Sequence, residues 1–332
     1  MGHYVFACLS LIIGCLGLVA NAGALYVFQK MKMISKTVTH SLLFHQCLVD
    51  FMSALVFLPL YPIPEVLDIW QDQDAFCKTR TVYWILAVTS TANMVYLTIE
   101  RYYSIVLPMR HLVLFRGRTM PVALPVTYVA GVICSVHSFI VSESDELGVC
   151  DYNWNGKTTL MIAHGVFIFI IEWMIPTTIF IFVYSKIYLT LKLYTLRSNS
   201  NIIGRSMVDQ STQNVNTSSN KGLVSMVLVI FITYLVCWTP KIVLYLLSNC
   251  GVKVNTYFIE FTVLLLTSNV CWNPFIYAFK YKEFNIAAKR TWREVFRRKP
   301  RKTDSKNAEN LELNAVEPGA HSIGSSSADE IT

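Results

Sequence analysis

Seven long apolar blocks run through this sequence, and they restrict its fold more than any other feature. Their limits are residues 4–28, 41–63, 76–106, 120–141, 159–191, 222–247 and 256–279. Each matches or exceeds the roughly 20 residues that a helix needs to cross hydrocarbon. Apolar residues fill each block instead of striping one face. An open sheet is excluded there, because its edge would leave backbone groups unpaired in lipid. The expected fold is therefore all-α, a seven-transmembrane helix bundle. Charged residues make up 15% of the chain, against about a quarter in a soluble domain.

The basic residues give the orientation. Segments 29–40, 101–118, 186–221 and 280–306 hold 3, 4, 5 and 11 Lys/Arg, which is 23 of the 28 in the chain. The opposite side keeps Lys78, Arg80, Lys157, Lys241 and Lys253, together with the acids Glu65, Asp68, Asp72, Asp74, Glu143, Asp145, Glu146 and Asp151. Positive charge stays in the cytoplasm, so the N-terminus is expected outside and the tail inside, in a multi-pass protein of the plasma membrane. The first block has no Lys or Arg ahead of it and continues to Phe28, which reads as a span and not as a cleaved leader.

Between the fifth and sixth blocks, residues 196–220 are rich in Ser, Asn, Thr and Gln and read as a mobile linker. After the seventh block, Phe284, Ala288, Trp292, Val295 and Phe296 recur at helical spacing among Lys289, Arg290, Arg293 and Arg297. That is the pattern of a basic amphipathic helix lying on membrane lipid. The expected organisation is a seven-span domain over 1–281, an amphipathic helix over 282–299 and a disordered tail over 300–332. No nucleic-acid partner is expected. Of nine cysteines, Cys77 and Cys150 share the oxidising side, which favours a bridge between them.

Polar residues inside spans are expensive and are functional candidates by default. Here they are Asn21, Asp50, Ser90, Asn93, Glu100, Arg101, Glu172, Lys241, Asn269 and Asn273. "TIERYYSIVLPMRH" at 98–111, "CWTP" at 237–240 and "NPFIY" at 273–277 occur in order along the chain. In these motifs the chain resembles the rhodopsin-like (class A) G-protein-coupled receptors over all seven spans. The resemblance implies that Arg101 pairs with Glu100 at rest and meets a heterotrimeric G protein when active. Tyr102 belongs to the same motif. It also implies that Tyr184 and Tyr277 swing toward Arg101 past Pro274, that Met109 contacts the G protein, and that Trp238 floors the ligand pocket. Cys77–Cys150 would match the family's extracellular disulfide, and arrestin and receptor kinases are further partners implied by the family.

Asp50, Ser90, Asn269 and Asn273 fall at the positions of that family's sodium site, an allosteric ion and not a cofactor of catalysis. One carboxylate with neutral oxygens suits a hard monovalent cation, because an unpaired buried carboxylate is costly. The other reading is an Asp50 that is protonated, or hydrogen-bonded to Asn21 and Asn273 without an ion. Thr267 stands where opsins carry the retinal lysine, so no retinal is expected. Tyr83 stands where amine receptors carry an aspartate. Glu172 and Lys241 either pair with each other, or hold opposite charges of a ligand, or do each in turn.

The family's fourth-helix tryptophan is replaced by Thr127–Tyr128. Tyr234 and Thr91 alter the connector near Pro176. Asn220 stands where many relatives carry an acid that locks the arginine, so raised basal activity is expected. The acidic side points to a basic (neuro)peptide as ligand, with a small charged metabolite or an amine-like ligand as the alternative. No nucleophile–base constellation or phosphate loop is present, which speaks against an enzyme. A transporter is the distant alternative, and the halves lack the similarity that repeats would give.

Overall fold

The computed structural model describes residues 2–34, 36–67, 73–115, 119–144, 150–200 and 207–296. The chain divides into two units, Met1–Ala288 and Lys289–Thr332, each treated by itself. The described part of the second unit is 289–296, so the tail expected to be disordered lies outside the described residues.

Seven helical stretches are long and apolar enough to cross a membrane, and each lies over one of the seven apolar blocks. The first is α1 (Gly2–Lys30). The second is α2 (Val38–Leu60), continued by α3 (Pro62–Leu67), and the third is α4 (Gln73–Thr79) followed by α5 (Thr81–Val106). After α6 (Pro108–Leu114), the fourth is α7 (Thr119–Val141). The fifth is α8 (Thr158–Ile168), a π-helical turn (Phe169–Met174) and α9 (Ile175–Ser200). The sixth is α10 (Met207–Asn249) and the seventh α11 (Thr256–Lys280), after which comes α12 (Lys282–Phe296).

The breaks have local causes. Thr37 caps α2 by accepting a bond from the His40 amide, and Asn255 caps α11 by accepting from Tyr257. Pro108 lacks a backbone N–H and disfavours helical geometry in the residue before it, so α5 stops at Val106 and Pro108 opens α6. The linker expected over 196–220 is instead helical over 196–200 and 207–220. Nucleating a helix is the costly step and extension is cheap. No Gly or Pro lies between Met207 and Lys221 to stop α10 from running on.

Burial is inverted relative to a soluble domain. Val19 and Ile133 are 71% and 65% exposed, whereas Asn21, Asp50, Asn93 and Thr98 are fully buried. With apolar side chains facing lipid, helices hold together by close packing and interhelical hydrogen bonds. Gly131 shows the first of these: a Cβ there would lie 2.6 Å from the Ile85 carbonyl oxygen, so α7 meets α5 backbone to backbone. α1 packs on α2 and α11, α5 packs on α2, α7 and α9, and α10 packs on α11 and α8.

At one end of the bundle, β1 (Ser142–Ser144) and β2 (Cys150–Tyr152) pair antiparallel with Ser144 opposite Cys150. Cys150 is bridged to Cys77 of α4, with Cα atoms 5.4 Å apart. Asp74 accepts from the Ser144 amide and hydroxyl at 2.8 and 2.7 Å, which seats the hairpin on α4. Glu143 accepts from Asn153 at 2.6 Å. The side chains of Glu65, Asp68, Asp72, Asp145, Glu146 and Asp151, counted above as part of an acidic rim, lie outside the described residues, as does that of Asn220.

Candidate functional site

Polar side chains run through the first unit in three groups: at the Arg101 end, at mid-span, and toward the disulfide end. At the Arg101 end the acid comes from one position and its partners from three helices. Glu100 and Arg101 are consecutive on α5 and both are buried. The guanidinium holds the carboxylate at two points, Nε to Oε2 and Nη2 to Oε1, each 2.6 Å. Arg101 Nη2 also donates to Thr39 Oγ1 of α2, and that hydroxyl donates to Oε2 at 3.4 Å. His111 Nε2 of α6 lies 2.9 Å from Oε1. Bidentate, charge-assisted bonds of this type are the strong ones.

Around this pair, Tyr102 meets Tyr103 edge-on at 5.6 Å, and the Tyr184 ring stacks on Phe231 at 6.2 Å. Met109 stands exposed on α6. Tyr277 is fully buried, and its hydroxyl has no hydrogen-bond partner among the described residues. Tyr281, just beyond α11, bonds His40 Nε2 at 2.5 Å and Glu283 at 3.2 Å, tying the start of α12 to α2. Its phenol is pushed above its ordinary pKa, chiefly by burial.

At mid-span the Asp50 carboxylate is fully buried and fully served. It accepts from Asn273 Nδ2 of α11 at 2.6 Å, from Ser90 Oγ of α5 at 2.8 Å, and from Gln46 Nε2 at 3.1 and 3.2 Å. Gln46 Oε1 accepts from Asn93 at 2.7 Å, Asn93 Oδ1 meets His45 Nδ1 at 3.0 Å, and His45 Nε2 meets the Tyr128 hydroxyl at 3.2 Å. Tyr128, which with Thr127 stands in place of the family's tryptophan, is thus joined to Asp50 by a path through three helices, α7, α2 and α5. Beside Asp50 is a cavity of about 10 Å³ lined by Ser90, Asn269, Tyr83 and Trp238, roughly the space of one water-sized sphere. A carboxylate with the Ser90 hydroxyl and the Asn269 side chain beside such a space suits a small monovalent cation, whereas Asn273 and Gln46 turn their amide nitrogens to Asp50.

Proline sets two further contacts by the same rule: each leaves the carbonyl four residues earlier without its helical donor. Pro274 orphans Val270, and Asn21 Nδ2 of α1 donates to that oxygen at 2.8 Å. Pro176 orphans Glu172, and the Tyr234 hydroxyl of α10 donates to that oxygen at 2.5 Å. The unusual tyrosine at 234 therefore has a structural partner in the π-helical turn. Asn21, read above as a partner of Asp50, bonds Val270 and Gly17 instead.

Toward the disulfide end, Tyr83 is buried among Phe57, Tyr61 and Trp84, and Thr267 donates to Val263 at 2.8 Å. Trp238 is buried against Tyr234. Glu172 and Lys241 make no ion pair with each other, and neither side chain has a polar partner among the described residues. Glu172 lines a second cavity, of about 190 Å³, whose wall also includes Trp238.

Sequence reasoning brought Asp50, Ser90, Asn269 and Asn273 together; the structure sets the first three around one cavity and bonds Asn273 to Asp50. It missed Gln46, Thr39, His111 and the two carbonyl contacts of Asn21 and Tyr234. Gln46 was findable, because it lies one helical turn before Asp50 on α2. The carbonyl contacts were half findable: proline positions give the orphaned oxygens, but not their donors.

The family described as 7 transmembrane receptor (rhodopsin family) matches residues 20–277. Trace amine-associated receptor 1 of Mus musculus is 27% identical over 269 residues, covering 76% of this chain and 78% of that protein. Somatostatin receptor type 2 of Mus musculus is 24% identical over 286 residues, covering 82% and 73%. Melanopsin of Branchiostoma belcheri is 21% identical over 309 residues, covering 87% of this chain but 42% of that protein. The crystal structure of squid rhodopsin shares the fold, with a TM-score of 0.75 over 96% of this chain and 92% of that one at 20% identity. With the family match running from Ala20 in the first span to Tyr277 in the seventh, the chain belongs to the rhodopsin family of seven-transmembrane receptors, G-protein-coupled receptors and not enzymes.

Proposed function

We propose that this receptor sits in the plasma membrane with its N-terminus outside, binds an extracellular (neuro)peptide at the disulfide end, and activates heterotrimeric G proteins at the Arg101 end. The observation that carries the mechanism is the closed Glu100–Arg101 pair, with the Tyr277 hydroxyl buried and unpartnered in the same bundle. An unpaired buried hydroxyl costs about 1–3 kcal/mol. A motion that brings Tyr277 to a partner while Arg101 leaves Glu100 regains part of what the broken ion pair loses. Outward movement of α10 is that motion. It opens the face on which Met109 stands exposed, with arrestin and receptor kinases as later partners. α12 then lies on the inner leaflet through its apolar side.

For the ligand, Lys241 is the main support: a cation in the sixth span with no anionic partner among the described residues fits a ligand carboxylate. The rim acids Asp74 and Glu143 favour basic groups elsewhere on the same ligand. A small charged or amine-like ligand is the second reading, favoured by the similarity to a trace amine-associated receptor. A sodium ion at Asp50, Ser90, Asn269 and Asn273 would supply a counter-charge that holds the resting state.

The test is guanine-nucleotide exchange on a panel of G proteins in membranes carrying the receptor, challenged with pools of basic peptides. One pool is expected to stimulate exchange, and Lys241→Gln or C-terminal amidation of the peptide to lower its potency at least tenfold, about 1.4 kcal/mol. Stimulation by small amines alone would establish the second reading instead.

A further inference from the structure

Among the described residues, the Glu172 carboxylate is the one buried acid in the spans that the proposed mechanism does not use. Its residue is 8% exposed, and the side chain has no hydrogen-bond or ionic partner among the described residues. The carboxylate makes no ion pair with Lys241 among the described residues. It lines the cavity of about 190 Å³, together with Val88, Thr91 and Ala92 of α5, Ala130 and Cys134 of α7, and Ile175 of α9. α7 packs on α5, and so does α9, so α5 floors a cleft between the two. Ile175 of the cavity wall is exposed, and so are Val129 and Ile133, the sequence neighbours of Ala130 and Cys134, on the surface that faces lipid in a seven-span protein. Three features of the sequence make the cleft. Ala130 and Cys134 are small, Gly131 lets α7 lie close on α5, and the π-helical turn before Pro176 carries Glu172.

We propose that this cleft is a binding site for a lipophilic amine that reaches Glu172 sideways from the bilayer. The ammonium group would pair with the carboxylate, a pairing worth far more in a dry site than in water. A volume of about 190 Å³ is below the 300–1,000 Å³ of sites that enclose a whole drug-sized ligand. The site therefore takes the amine head and first carbons, while the remaining apolar tail stays among lipid chains at Val129 and Ile133. Trp238 walls this cavity and the one beside Asp50, so occupancy bears on the residue between the two acids. The site is separate from the peptide reading and rests only on the membership of the receptor family.

The full chain in phosphatidylcholine nanodiscs, titrated with octylamine, octanol or octanoate and followed by thermal unfolding, tests this without any G protein. Octylamine is expected to raise the melting temperature saturably, by about 5–10 °C at a hundred times its Kd, while octanol and octanoate do not. Glu172→Gln is expected to abolish the shift, and Ala130→Leu, which fills the cleft but keeps the acid, to weaken it at least tenfold in concentration. Equal shifts from amine and alcohol, or a shift that survives Glu172→Gln, would overturn the site. A shift that survives Ala130→Leu but not Glu172→Gln would overturn the lateral route. Failure of the peptide screen would leave all these outcomes readable.

Discussion

Asp50 and Glu172 are both buried carboxylates within spans, and Trp238 lines the cavity beside each, yet their surroundings differ completely. Asp50 accepts from Asn273, Ser90 and Gln46, donors drawn from α11, α5 and α2. Glu172 has no polar partner for its carboxylate among the described residues, although its backbone carbonyl is served by Tyr234. The difference separates two uses of an intramembrane acid. A carboxylate met by donors from several helices ties those helices into one arrangement. A carboxylate without donors stores the cost of its burial until a cation arrives. The first holds a state and the second senses a ligand.

The contrast can be broken most severely at Asp50. Asp50→Ala leaves the Ser90 and Asn273 donors buried without an acceptor, at about 1–3 kcal/mol each, and leaves Gln46 Nε2 only the Ser90 hydroxyl. The expected loss is about 2–6 kcal/mol of stability, read by thermal unfolding of the purified receptor. A loss near zero would mean that the hub ties nothing together. In the same assay, sodium chloride in place of choline chloride is expected to stabilise the wild type and not Asp50→Asn.

The carbonyl contacts come next. Tyr234→Phe removes the only side-chain donor to the Glu172 carbonyl among the described residues, and Asn21→Ala does the same at Val270. Each is expected to lower stability by about 1–3 kcal/mol. Glu172→Gln has the smallest effect, within about 0.5 kcal/mol of the wild type or stabilising, because it removes a buried charge and breaks no bond. A large loss there would show that Glu172 is tied in like Asp50, and the comparison between the two acids would fail.

Much of this was legible before any coordinates. The seven spans follow from block length and hydrocarbon thickness alone, and the structure sets a helix on each. Asp50, Ser90, Asn269 and Asn273 could be grouped because they fall at the sodium-site positions of the family the chain resembles, and a buried acid needs partners. What stayed hidden depends on distances across the bundle. Tyr234 meets a carbonyl 62 residues away, and nothing local in α10 marks that contact. Glu172 and Lys241 are both charged and both lie near prolines, so the sequence could not separate pairing from sensing. That outcome rests on the turn of the π-helical segment. The linker at 196–220 was misjudged for the opposite reason: its polar composition was weighed above the ease of extending a helix already formed.

The most direct test lies at Arg101, the residue proposed above to leave Glu100 and meet the G protein. Guanine-nucleotide exchange, driven by whichever stimulus activates the wild type, should be compared with that of Arg101→Ala at equal amounts of folded receptor. Arg101→Ala is expected to keep binding the stimulus but to lose most of the stimulated exchange. An equal response from the two proteins would contradict that role of Arg101.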